Sequence, residues 1–252
     1  MKRSQRKLIG AIAVAGVLIV AASAGIWAIF LTNDAPEPVS LEGAVASLET
    51  PTAQSDDPTA TATATLAGST NEAAQAGEEA AIVWGIAAGS ETFVGYRIGE
   101  ELATIGASEA VGRSSSVTGS VTISGSIVES ATVEANLLDL ESDDNRRDQT
   151  LQNRGLETAS YPTATFTLTE PIDLGGDLVD GAIYSVLATL HGVTQPVEIG
   201  LEAQYSGGSL VIVGSLDIEL ADYEISPPTT AIALAVDDHG TVEMQLILDR
   251  SG

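Results

Sequence analysis

The sequence predicts an all-β domain, either a closed antiparallel barrel or a sandwich of about eight strands with one short helix. Three observations predict this arrangement. Apolar and polar residues alternate with a period of two beyond residue 81, turn residues separate these runs, and an uncharged apolar segment followed by a Pro- and Thr-rich stretch comes before them. The domain is therefore expected at the end of a membrane anchor and a linker.

The composition excludes several classes of site. The chain has 252 residues, no cysteine, 10 basic and 35 acidic residues, and a net charge of -25. Without cysteine there is no disulfide scaffold, zinc-thiolate site or thiol nucleophile. The acidic excess argues against nucleic acid as a partner, because phosphate binding needs a basic surface.

The N-terminal segment predicts a single-pass membrane anchor. Residues 8–31 are 24 uncharged residues, and as a helix they would extend about 36 Å, enough to cross a bilayer. The basic residues 1–7 should stay cytoplasmic, which places the rest of the chain on the extracytoplasmic side of the cell membrane. A cleaved signal peptide is the alternative, with Ala-Ser-Ala at 22–24 as the cleavage site, but the apolar run continues to residue 31 and favours the uncleaved anchor.

Residues 32–80 have the composition of a disordered linker. They contain four prolines, an alternating Thr-Ala run and scattered acidic residues, with no aromatic and only isolated large aliphatic side chains. Such a stretch buries too little apolar surface to offset its ordering entropy. Beyond the anchor, from residue 32, there are six basic and 35 acidic residues, so this part carries 6 - 35 = -29.

Residues 81–252 form the predicted β domain. Two-residue alternation runs through 121–127, 163–169, 197–205, 210–220 and 242–248, and a helix is predicted near 145–156. Several inward positions are small, which favours an internal cavity, although aliphatic side chains from facing walls would close it instead; these positions are Gly95, Gly125, Ala135, Ala164, Ala203 and Gly214.

Three motifs carry more information than the periodicity. Arg147-Asp148-Gln149-Thr150-Leu151 is followed by Tyr161-Pro162-Thr163-Ala164-Thr165-Phe166, and then by the His191-Gly192-Val193-Thr194-Gln195-Pro196-Val197 segment. A tryptophan, Trp84, stands some nine residues before a strand with Phe93 and Tyr96. In order and spacing these motifs resemble the YceI-like family over about residues 82–249.

The resemblance implies an extended, lipocalin-like antiparallel barrel that is exported and binds an isoprenoid lipid in a long tunnel. An apolar tunnel suits a prenyl chain, because each buried methylene contributes about 0.8 kcal/mol. The residues expected to line the tunnel or its mouth are Trp84, Phe93, Tyr96, Arg147, Asp148, Phe166, Tyr184, His191 and Gly214.

The charged and titratable residues allow more than one role. Arg146, Arg147 and Arg154 could meet a pyrophosphate head group, but pairing with neighbouring carboxylates on the same helix is favoured. Arg147 with Asp148 is the best candidate for a contact between helix and barrel. His191 has no Ser-His-Asp or metal constellation around it in the sequence and is expected to be structural.

The function predicted is a membrane-tethered binding protein that holds an isoprenoid or other long apolar lipid in a barrel tunnel. The alternative is a cavity-free barrel on a stalk that binds a protein or glycan at the cell surface. No catalytic or metal motif occurs in the sequence, so we expect no enzyme, no metal and no cofactor other than a bound lipid. The sequence identifies no protein partner.

Overall fold

The computed structural model describes residues 35–49, 80–174 and 182–251. The predicted cytoplasmic residues 1–7, the predicted anchor 8–31 and most of the predicted linker lie outside these ranges. Within the described ranges, neither helix is long and apolar enough to cross a bilayer. The chain from Glu37 to Gly252 is one compact unit.

Thirteen strands and two helices are present in the described part of the chain. The helices are α1 (Leu41–Glu49) and α2 (Asn145–Asn153). The strands are β1 (Ile82–Ile86), β2 (Phe93–Leu102), β3 (Gly106–Ser114), β4 (Val117–Ser124), β5 (Ile127–Asn136), β6 (Glu141–Ser142), β7 (Thr163–Leu168), β8 (Ile172–Asp173), β9 (Ala182–Leu190), β10 (Val193–Ser206), β11 (Ser209–Glu219), β12 (Ala233–Val236) and β13 (His239–Arg250). Short 3-10 turns follow β5 and β11, at Leu137–Asp139 and Leu220–Tyr223.

The sheet closes into an eight-stranded antiparallel barrel. The order around the ring is β1-β4-β5-β7-β9-β10-β11-β13, and β13 pairs with β1 to complete it. The predicted barrel is thus confirmed over the predicted sandwich. At one end the wall is extended by β2 and β3, which continue the lines of β1 and β4.

The gap between β1 and β2 is bridged by side chains. Both strands pair with the same edge of β13, and on that edge Leu246 and Ile247 have no partner strand. The Thr92 hydroxyl accepts the Ile247 N–H at 2.9 Å, and the Gln245 amide donates to the Glu91 carbonyl at 2.9 Å. Buried backbone groups need such partners, so the break in the ladder costs little.

The alternating residues of the sequence form the barrel core. Inward side chains of the ring strands belong to one cluster, and it includes Val121, Phe166, Ile199, Leu216 and Leu246. The closed sheet and this core both lie within residues 82–250. The predicted run 121–127 is wrong as a single strand, because β4 ends at Ser124 and Gly125, with a φ of 58°, makes the turn into β5. The predicted helix near 145–156 is confirmed as α2.

A second helix, α1, corrects the expectation of a single helix and lies within the predicted linker. The Ser40 hydroxyl accepts the Gly43 N–H at 3.2 Å at its start. Leu41, Ala44 and Val45 share one face and pack on Val211 and Val213, on the outer surface of the barrel. The aliphatic residues of this stretch are therefore not isolated, because helical spacing brings them together.

Candidate functional site

The barrel encloses a cavity of about 400 Å³ at one end, which we call the main cavity. This is the end where β2 turns into β3 and β9 turns into β10. Residues of α2 and of the segment 225–236 lie over it. The sequence left open whether the interior is hollow or closed, and this end is hollow.

Most side chains that line the main cavity are apolar. Those from the barrel wall are Val94, Ile98, Leu102, Ala110, Ala164, Phe166, Ala188, Leu190, Leu216, Ile218 and Val242. Leu151 and Leu156 come from the α2 side, and Ile225, Ile232 and Val236 come from the covering segment. A concave site with this lining and few polar groups is suited to an apolar ligand.

The charged part of the lining centres on Arg147. Its guanidinium pairs with Glu100 of β2 at 2.5 Å and with Asp143, four residues earlier in the chain. Burial acts to lower the pKa of Arg147, but the carboxylates of Glu100 and Asp143 outweigh it and raise the pKa. Its Nε atom is buried and has no hydrogen-bond partner in the described residues.

Asp148 and Arg146, also on α2, interact with residues that are close to them in the chain. The Asp148 carboxylate accepts hydrogen bonds from the backbone N–H and the hydroxyl of Ser142 in β6, at 3.1 and 2.6 Å. Arg146 pairs with Asp144 at 3.3 Å, and its side chain is 76% exposed. Arg147 and Asp148 thus connect helix and barrel as expected, each through its own partner. Arg146 and Arg147 each form a local ion pair, as the favoured interpretation of the arginines predicted, whereas Arg154 forms none in the described part of the chain.

Tyr96 lies on β2 and lines the main cavity close to Arg147. Its ring packs over Gly112 of β3, where a Cβ atom would come within 2.4 Å of it. The hydroxyl is buried and has no hydrogen-bond partner in the described residues. Burial raises the pKa of Tyr96, the Arg147 cation opposes the rise, and Asp148, Glu100 and Asp143 add to it.

A smaller void of about 110 Å³, the minor cavity, lies further along the barrel. Tyr184 lines it together with apolar residues of β4, β5, β7, β10, β11 and β13. Among the described residues, only Phe166 lines both cavities. The interior is therefore divided, with Phe166 between the two voids.

Gly214, Trp84 and Phe93 line neither cavity. A Cβ atom at Gly214 would come within 2.6 Å of the Leu201 side chain, so neighbouring side chains already fill that space. Trp84 is 7% exposed and packs against Tyr205, with ring centroids 5.4 Å apart. Phe93 faces a cleft between residues 37–47 and the outer surface of the barrel. The prediction that these three residues line the tunnel is therefore wrong. The motifs place them in the barrel, but they do not show which side chains face the cavity.

His191 has a structural environment at the turn between β9 and β10. Its φ is 51°, and its Nδ1 lies 3.1 Å from the Tyr223 carbonyl oxygen. Its ring lies 4.2 Å from that of Tyr161, which also packs on Gly192. His191 thus joins the Tyr161-Pro162 motif to the hairpin, and it does not line the main cavity.

Sequence reasoning missed several cavity residues. Glu100 and Tyr223 line the main cavity, and Tyr223 is 2% exposed with an unpartnered hydroxyl. Ser226-Pro227-Pro228 is a turn signal in the sequence, and the residues from there to Val236 cover the cavity. Tyr223 could have been predicted as a cavity residue, because it is an aromatic residue next to the end of a strand. Nothing in the sequence around Glu100 indicates that it lines a cavity.

Comparison with known proteins gives the same fold. A YceI-like domain profile matches residues 87–248. A polyisoprenoid binding domain from Saccharophagus degradans is 19% identical, with 68% of this chain and 98% of that one covered and a TM-score of 0.49. Burkholderia cenocepacia BcnA is 13% identical, with 62% and 96% covered and a TM-score of 0.50. A Campylobacter jejuni YceI protein is 14% identical, with 56% and 84% covered and a TM-score of 0.46.

No curated protein sequence matches the chain. BcnA is similar to this chain in fold alone, because its sequence identity is low. The family profile carries more weight, because it matches more than half of the chain. The matched residues include α2, the lining of the main cavity and every barrel strand except β1 and the last two residues of β13. On this basis, the chain belongs to the YceI-like family.

Proposed function

We propose that this protein is a membrane-tethered, extracytoplasmic carrier that holds an isoprenoid or similar long apolar lipid inside its barrel. The observation that carries the proposal is the main cavity, about 400 Å³ of mostly apolar space within a closed sheet. Ligand pockets in proteins are commonly about 300–1,000 Å³ and mostly apolar. Membership of the YceI-like family supports the same ligand class. The proposal includes no catalytic step.

The lining suggests which way round such a lipid would bind. Charged and polar residues gather where α2 meets the barrel, while the lining toward Phe166 is apolar. The unpartnered Arg147 Nε and Tyr96 hydroxyl are donors at the α2 end. An oxygen-bearing head group would satisfy them after a small side-chain rotation, and the apolar chain would extend toward Phe166.

The tether is the part of the proposal that comes from the sequence. An uncharged segment at 8–31 with a basic flank supports a single-pass anchor with the barrel on the extracytoplasmic side. Residues 32–36 would connect the anchor to the unit that begins at Glu37. Such a tether would keep the barrel close to a source of lipid. Alkaline extraction of membranes, followed by protease treatment of intact cells, would test both the anchoring and the side.

Ligand binding is tested by native mass spectrometry of residues 37–252, exported and purified without detergent, with organic extraction of the same sample. We expect a stoichiometric added mass that extracts as an apolar chain. Ala110→Trp, which fills the main cavity from β3, should abolish it. Ala107→Trp, on the opposite and exposed face of the same strand, is the matched control and should retain it.

An empty protein that stays empty after incubation with prenyl lipids would overturn the carrier proposal. It would favour the alternative function, a stalked barrel that binds a protein or glycan. Equal added mass in both variants would show that the lipid binds outside the main cavity.

A further inference from the structure

We infer that Phe166 sets the length of the chain that the barrel accepts, by closing the main cavity off from the minor cavity. This inference rests on the proposed function. It makes Phe166 a specificity-determining residue and names the ligand as a chain short enough to end at its ring.

The position of Phe166 in the sheet carries the argument. It is 7% exposed and points into the barrel from β7, with Val133 and Ala188 as its register partners on β5 and β9. Val133 lines the minor cavity and Ala188 lines the main cavity. The ring of Phe166 therefore stands at the boundary between the two voids.

Inward residues on either side of this boundary line different cavities. Along β7, Ala164 lines the main cavity and Leu168 lines the minor cavity, with Phe166 between them. On β11, Leu216 and Ile212 lie on either side of Gly214 in the same way. At Gly214 the space is filled by Leu201 and Met244 side chains. The barrier thus consists of the Phe166 side chain together with the side chains of Leu201 and Met244 on other strands of the barrel.

Removal of the ring should join the two voids. A large-to-small substitution in a packed core leaves a cavity that its surroundings fill only in part. The minor cavity, about 110 Å³, would then become the far end of a longer channel lined by apolar residues of β4, β5, β10 and β11. Longer chains gain affinity in such a channel, because each additional carbon leaves water.

The test measures chain-length preference in residues 37–252. Geraniol, farnesol, geranylgeraniol and solanesol compete for the protein, and native mass spectrometry gives the bound fraction of each. We expect Phe166→Ala to move the preferred alcohol to a longer one and to raise the affinity for it by at least about tenfold over the unsubstituted protein. Phe166→Leu, a milder change that preserves more of the core, should move it in the same direction.

Leu168→Ala is the matched control. It enlarges the minor cavity from the same strand and the same face but leaves Phe166 in place, so the preferred length should not change. An unchanged preference in both Phe166 variants, with binding intact, would overturn the inference and leave the carrier function standing. Failure of the unsubstituted protein to bind any of the four alcohols would overturn the carrier function itself.

Discussion

Tyr96 shows how a single buried group makes stability depend on pH. Its hydroxyl lies beside Arg147 and Gly112 without a hydrogen-bond partner in the described residues, and burial raises its pKa above the usual value of 10.0. In the folded protein it stays protonated at pH values where the unfolded chain ionises. The unfolded state then binds fewer protons than the folded state, so stability falls as pH rises.

We therefore predict that the free energy of unfolding declines above about pH 10 and that Tyr96→Phe reduces this decline. Between pH 10 and 11 the substitution should recover about 1 kcal/mol. At pH 7 the Tyr96→Phe protein should be at least as stable as the unsubstituted one, because the substitution removes a buried hydroxyl that has no hydrogen-bond partner in the described residues. Urea denaturation at a series of pH values measures the free energy of unfolding of each protein. Parallel curves for the two proteins across the alkaline range would contradict the prediction.

Among the elements, α1 is the one whose attachment can be tested separately from the barrel. Its Ala44 is 1% exposed against Val211 and Val213, and the Val39 N–H donates to the buried Glu243 carboxylate at 3.4 Å. The strands beneath it pair with one another independently of α1. The helix should therefore detach while the barrel stays folded.

We predict that Ala44→Glu releases α1, because it places an unpaired charge against an apolar surface. Hydrogen exchange in residues 41–49 should accelerate by about tenfold or more, with little change in β11 and β13. Ala46→Glu, at an exposed position of the same helix, is the control and should leave the exchange rates as they were. Equal protection in the two variants would show that Ala44 does not hold the helix.

The elements also show how far local pattern determines the fold. Alternation predicted β7, β10, β11 and β13, because each has an apolar face in the core. The outward faces of β7 and β10 are largely polar, whereas α1 covers Val211 and Val213 on the outward face of β11 and Glu243 and Ile247 on β13 are also buried. Alternation wrongly joined β4 to β5. Gly125 follows Ile123 at a spacing of two and so fits the strand pattern, but its backbone turns the chain. Alternation missed α1, whose few aliphatic residues become a helix face only when the barrel offers an apolar surface outside its core.

At the scale of the whole molecule, the site depends on contacts far apart in the sequence. Phe166 and Tyr184 could be placed among the lining residues from motif and alternation. The pairing of Arg147 with Glu100 joins residues 47 positions apart, and the division of the interior depends on side chains from many strands. Neither is a property of a short segment, because a closed ring brings together strands that are distant in the chain.

The charge of the molecule gives the last prediction. Beyond residue 32 the chain carries 6 - 35 = -29 charges, so the folded state suffers self-repulsion. Salt shortens the screening length from about 30 Å at 0.01 M to about 8 Å at 0.15 M. The melting temperature of residues 37–252 should therefore rise with NaCl over this range. Replacing exposed Glu198 and Glu202 on β10 with Gln should weaken the dependence, because it removes two negative charges from the surface. A melting temperature that falls with salt would mean instead that attractive pairs such as Arg97 with Glu243 outweigh the repulsion.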